Sequence, residues 1–209
     1  MDALTSPLLK TSAHRDADLA ATDAELAGII ELASSRGAVN ITIGSGRTPR
    51  AIATARAVEA AWEHAGGRTL DTITWPETGA SWLRHATRFA ATDPDLWVMT
   101  GPGTGWAQMT RRLMWSTSWD PARTIATAGL GDPGTLALVG LCNLEGMAGA
   151  HTDGTTWLVT AGSVSRRATG VSFTSRVRRA FSARSHAEKL PVGLDKEFSP
   201  WHSACSVTS

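Results

Sequence analysis

Three glycine-rich segments carry the residue types best able to meet a ligand. Gly44-Ser45-Gly46-Arg47-Thr48 follows the apolar run Val39–Ile43, and Gly101-Pro102-Gly103-Thr104-Gly105 follows Leu96–Met99. Gly129-Leu130-Gly131-Asp132-Pro133-Gly134 follows Ile125–Ala128. Glycine lets a backbone approach an anion, and the N-terminus of a following helix offers free N–H groups and partial positive charge. Arg47 could pair with a carboxylate or phosphate through two parallel hydrogen bonds. Thr48, Thr104 and Asp132 would add polar contacts. The expected ligand-binding set is therefore Gly44, Ser45, Gly46, Arg47, Thr48, Gly103, Thr104, Gly131 and Asp132, with Trp75 or Trp106 covering the apolar part of a ligand. The competing reading makes these segments tight strand-to-helix turns, with Thr48 a helix cap and Asp132-Pro133-Gly134 a chain reversal.

Catalysis finds less support. The first segment lacks the spacing and lysine of a phosphate-binding P-loop, and Pro49 stands where a dinucleotide fingerprint needs its third glycine. Ser45 lacks the G-x-S-x-G spacing of a nucleophile elbow. The six histidines form no H-x-H, H-x-x-x-H or H-E-x-x-H pair, so no metal site is expected. Cys142 and Cys205 are too few for a disulfide framework and do not fix the compartment. The expectation is a non-enzyme that needs no cofactor.

The elements that must position these segments can be read from periodicity. Asp16–Ser35 places Leu19, Leu26, Ile29, Ile30 and Leu32 near one helical face. Val39–Ile43, Thr69–Trp75, Leu96–Met99 and Thr124–Ala128 read as strands, and Thr156–Val159 as a further candidate. Helices are expected from Thr48 to about Ala65, over Gly79–Ala91 and over Trp106–Ser116, with a short turn at Thr135–Val139. Strands separated by helices require parallel pairing with right-handed crossovers. The fold class is therefore α/β, a doubly wound, mostly parallel sheet with helices on both faces, and such sheets bind ligands at the carboxyl ends of their strands. The expected organisation is a flexible N-terminus over 1–15, the α/β domain over 16–162, and a basic helix with a C-terminal tail over 163–209. Phe173–Leu190 is the helical part of that tail.

Three further strings carry a family resemblance. They are Trp62-Glu63-His64-Ala65-Gly66-Gly67 with the strand to Trp75, then Asp93-Pro94-Asp95-Leu96-Trp97-Val98-Met99. The third runs from Gly129 through Leu136-Ala137-Leu138-Val139-Gly140 to Leu144-Glu145-Gly146-Met147. Together they resemble one lobe of the type I periplasmic-binding fold, the class of branched-chain amino-acid binding proteins. The resemblance implies reversible binding of an amino acid or similar carboxylate, with the region of Asp132 contacting the ligand's ammonium group. It also implies that the chain is one lobe, a truncated relative, or a domain that pairs with another copy or another chain.

Composition sets the remaining bounds. A net charge of +1 gives no bulk field to recruit nucleic acid or a membrane surface. The basic stretch Arg166–Arg184 lacks stacking aromatics or a helix-turn-helix pattern, so a solvated face is expected there and nucleic acid is not an expected partner. No segment approaches the ~20 apolar residues of a membrane span. The N-terminus shows no apolar leader region, so the chain as written is expected in the cytoplasm, and exported only if a leader has been removed. Two rival readings remain: a Rossmann-like enzyme holding a nucleotide or phosphorylated substrate on the same turns, and a structural or interaction protein.

Overall fold

A computed structural model of the protein describes residues 20–167. The helix α1 (Asp23–Ser35) starts at Thr22, whose hydroxyl oxygen accepts the Glu25 N–H. It leads into β1 (Asn40–Gly46), α2 (Pro49–His64) and β2 (Arg68–Trp75), then α3 (Leu83–Ala91) and β3 (Leu96–Thr100). The helix α4 (Gly103–Ser116), β4 (Thr124–Ala126) and the short helix α5 (Pro133–Ala137) follow, then β5 (Ala148–Ala150), β6 (Thr156–Thr160) and β7 (Ser163–Arg167). Helix starts follow capping chemistry: Thr48 and Asp132 accept N–H groups three residues on, and Pro49 and Pro133 suit first turns because they have no N–H to leave unpaired.

The described residues form a seven-stranded sheet in the order β2-β1-β3-β4-β5-β6-β7. The first five strands pair in parallel, and β5-β6 and β6-β7 pair antiparallel. The doubly wound α/β expectation holds. Strand pleating divides the apolar residues between two cores. In β3, Leu96 and Val98 join Ile41, Ile43 and the α1 and α2 residues Ile29, Val58 and Trp62. Trp97 and Met99 point the other way, with Trp75, Phe89 of α3, and Met109 and Leu113 of α4.

Several expected boundaries move. Gly44, Ser45 and Gly46 belong to β1, not to a turn: Gly44 pairs with Ile73 and Met99, Ser45 with Thr74 and Thr100, and Gly46 with Trp75. The glycine at 44 answers a packing demand, because a Cβ there would lie 2.5 Å from Trp75 and 2.7 Å from Phe89. The sheet also continues past residue 162 through β7, which pairs along β6 from Ser163 to Arg167. The helix expected over Phe173–Leu190 and the first residues of the one expected from Asp16 lie outside the described residues.

Candidate functional site

Strand order fixes where a ligand can enter. From the end of β1 the chain leaves through α2 toward β2 on one side, and from the end of β3 it leaves through α4 toward β4 on the other. The two connections diverge at the carboxyl ends of β1 and β3, which is where sheets of this kind hold their ligand crevice. Backbone meets backbone there. Gly101 adopts φ +118°, which only glycine tolerates, and lets the chain fold back so closely that a Cβ there would lie 2.8 Å from the Gly46 nitrogen. At the far side, the Thr127 hydroxyl donates to the Thr100 hydroxyl oxygen at 3.2 Å, which joins the end of β4 to that of β3.

The structure brings the first two glycine segments into direct contact, with the third beside them at the end of β4. The individual residues differ in what they present. Arg47 is exposed and Thr48 half-buried at the start of α2. Gly103 and Thr104 form the first turn of α4, with Thr104 half-buried. Asp132 is exposed and caps α5, its carboxylate accepting the Thr135 N–H at 3.0 Å. Ser45 is fully buried and its hydroxyl donates to the Gly46 carbonyl at 3.0 Å. Gly131 lies against the Trp157 indole, 2.5 Å from where its Cβ would stand. Trp75 and Trp106, expected to cover a ligand, are instead fully buried in the core shared with Phe89, Trp97, Met99, Met109 and Leu113 on one side of the sheet.

Sequence reasoning missed Glu77. It follows β2 by two residues, and its carboxylate lies against two glycines: Oε1 is 2.1 Å from the Cβ position of Gly46, and Oε2 is 2.3 Å from that of Gly105. Oε1 accepts the Arg47 N–H at 3.1 Å. No local motif marks Glu77; the signal was the pair of glycines opposite it, whose close-approach partner is this side chain. Basic residues stand near the end of β2. His85, whose ring bonds the Thr74 carbonyl, has its pKa lowered first by burial and then by Arg47, Arg84 and Arg88. Glu25 on α1 is 1% exposed, and its carboxylate accepts the Ala128 N–H at 2.6 Å just beyond β4. Burial raises its pKa, and the hydrogen bonds from Ala128 and Thr22 offset part of that rise.

A second concavity of about 530 Å³ lies elsewhere, between the loop after β2 and the outer face of α4, lined by Ala80, Ser81, Trp82, Gln108, Arg111, Arg112 and Trp115. None of the glycine-segment residues lines it. The strand ends are the better candidate because three separate connections meet there, where the strand order of an open α/β sheet reverses. Among the described residues, no group of three or more His, Cys, Asp or Glu could hold a metal ion, and no helix is long and apolar enough to cross a membrane.

No protein-family model matches the sequence, and no curated protein matches it. The fold has solved counterparts. A substrate-binding periplasmic protein from Ralstonia solanacearum aligns with a TM-score of 0.54 at 16% identity, covering 80% of this chain and 44% of that one. A putative branched-chain amino acid ABC transporter protein from Rhodospirillum rubrum gives 0.51 at 16% identity, covering 61% and 36%. A solute binding protein of an ABC transporter from Rhodopseudomonas palustris BisB5, solved in complex with 3,4-dihydroxy benzoic acid, gives 0.50 at 16% identity, covering 61% and 35%. The chain thus spans under half the length of these counterparts, and its fold resembles part of each of them. The cytoplasmic expectation gains no support from them, since such counterparts include periplasmic proteins.

Proposed function

We propose that this protein binds a small polar ligand, an amino acid or similar carboxylate, without catalysing a reaction on it. The observation that carries the reading is the strand order, which makes the connections after β1 and β3 diverge where the glycine segments around Gly46 and Gly101 meet. Arg47 and the N-terminal turn of α2 take the ligand's carboxylate, and Thr48, Thr104 and Asp132 add polar contacts at the rim. The solved counterparts support this class of ligand, one being described as a branched-chain amino acid transporter protein and another holding a dihydroxybenzoic acid. We further propose that a second lobe, from another copy or another chain, closes over the crevice, and that the protein works after export.

A thermal-unfolding screen of the full chain tests the reading. A ligand specific for the folded state adds about 2.7 kcal/mol at a hundred times its Kd, which for a protein of this size is a rise of roughly 5–10 °C. The expected result is a rise with one or more amino acids or small carboxylates that Arg47→Ala abolishes. A rise with nucleotides alone would favour a Rossmann-like enzyme, and no rise with any of these compounds would overturn the proposal.

A further inference from the structure

We propose that the concavity on the outer face of α4 is a second binding site, separate from the strand ends, that takes a small flat aromatic anion such as an aryl carboxylate or sulfonate. Its volume of about 530 Å³ falls within the range of about 300–1,000 Å³ found for small-molecule sites. Helical spacing builds one wall. Gln108, Arg111, Arg112 and Trp115 follow one another at intervals of three, one and three residues, so all four share one face of α4. The opposite stripe, Trp106, Met109, Thr110 and Leu113, is buried. The loop after β2 supplies the other wall through Ala80, Ser81 and Trp82. Trp82 is held in place: its indole N–H donates to the Pro76 carbonyl at 3.0 Å, and it packs against the core to which α3 and α4 contribute. Arg111 is held too, by donating to the Leu138 carbonyl at the end of α5.

What the concavity presents selects its occupant. Of the seven lining residues two are arginines, two are tryptophans and none is acidic. The helix α4 carries no Asp or Glu, and the one carboxylate on the facing loop, that of Glu77, is turned onto Gly46 and Gly105. Among the described residues neither Arg111 nor Arg112 forms an ion pair, and Arg112 donates to the Ser116 hydroxyl at 3.5 Å. A guanidinium without a carboxylate partner is suited to an incoming carboxylate or sulfonate, which it can meet with two parallel N–H donors. Trp115 is 84% exposed, more than any other large apolar side chain described, and the half-buried Trp82 lines the same space. Indole rings pair well with another flat ring, stacked or edge to face. They also attract organic cations, but the two arginines beside them oppose a positive charge, so an anion is preferred over a cation of the same shape. A wall from each of two elements lets one small molecule engage ring and arginine together.

Titration calorimetry on the full chain tests the inference with three probes: 2-naphthoate, 2-naphthylmethylamine and acetate. The expected result is that 2-naphthoate binds at least tenfold more tightly than either of the others, the amine lacking the anion and acetate the ring. Trp115→Ala should weaken 2-naphthoate at least fivefold, and because that side chain is exposed the variant keeps its fold. In Arg112→Gln the preference for the acid over the amine should fall below about threefold. Arg47→Ala separates this site from the strand ends and should leave the 2-naphthoate affinity unchanged. On the unaltered protein alone, an amine that binds as tightly as the acid overturns the inference, and so does the absence of 2-naphthoate binding at millimolar concentration. Affinity retained in Trp115→Ala overturns it too, and its loss in Arg47→Ala would then assign the probe to the strand ends.

Discussion

Replacing Gly44 by alanine separates a packing glycine from a ligand-contacting one. The added Cβ would lie 2.5 and 2.9 Å from two Trp75 ring carbons and 2.7 Å from a Phe89 ring carbon, all closer than carbon atoms tolerate. Neither ring can yield cheaply. Both are fully buried, they meet edge to face with centroids 6.3 Å apart, and Phe89 also packs on Trp97 at 6.4 Å. Overpacking of a tight core costs about 1–3 kcal/mol, which at this chain length lowers Tm by roughly 2–12 °C. Gly79→Ala is the matched control, since its Cβ would stand 3.4 Å from Pro76 at an exposed position. Differential scanning calorimetry should show the loss for Gly44→Ala and a shift within about 1 °C for Gly79→Ala. Ligand affinity of the folded Gly44→Ala protein should match the parent's, because residue 44 faces Trp75 and not the crevice. An unchanged Tm, or lost affinity in a fully folded variant, would refute the packing role.

Other outcomes follow from the same structure. Glu25 has a pKa raised by burial, so its contribution to stability is fully present below the unfolded value near 4.5 and is lost as pH rises through the folded value. Chemical denaturation across that range should show the parent losing stability relative to Glu25→Gln, and parallel curves would contradict the burial argument. Arg36 donates to the carbonyls of Ala122, Thr124 and Gly146 near the amino ends of β4 and β5, and burial lowers its pKa to about 10. Arg36→Ala removes the donor to three carbonyls, that of buried Thr124 among them, and should cost about 1–3 kcal/mol by urea titration, with ligand affinity unchanged because the crevice is at the opposite end of the sheet. Thr48→Ala removes the oxygen that accepts the Ala51 N–H at 3.1 Å and should cost about 1 kcal/mol in the same assay.

The parallel core was legible because its signals are local. Ile41, Ile43, Leu96 and Val98 sit in short β-branched or apolar runs, and Thr48-Pro49 marks a helix start without any tertiary information. The strand β5 was not legible, because Ala148-Gly149-Ala150 has no strand-forming side chains. It is a strand because its small residues let the Trp157 indole lie against the sheet, 2.3 Å from the Cβ position of Gly149. The glycine segments were found, but their meaning was split. A glycine that makes room for an aromatic ring and one that makes room for a carboxylate look alike in sequence, and the partners, Trp75 for Gly44 and Glu77 for Gly46, lie about thirty residues away. Glu77 escaped notice for the same reason: nothing near it in the chain distinguishes it from an ordinary loop acid.

The central claim is that a small ligand sits at the carboxyl ends of β1, β3 and β4. The most direct test is to record amide chemical shifts of the isotope-labelled full chain with and without the amino acid that raises Tm most. The account predicts that the largest changes fall on residues 46–48, 101–105 and 129–132 and at Glu77. Changes centred instead on Trp82, Arg112 and Trp115 beside α4, or no changes at saturating ligand, would contradict it.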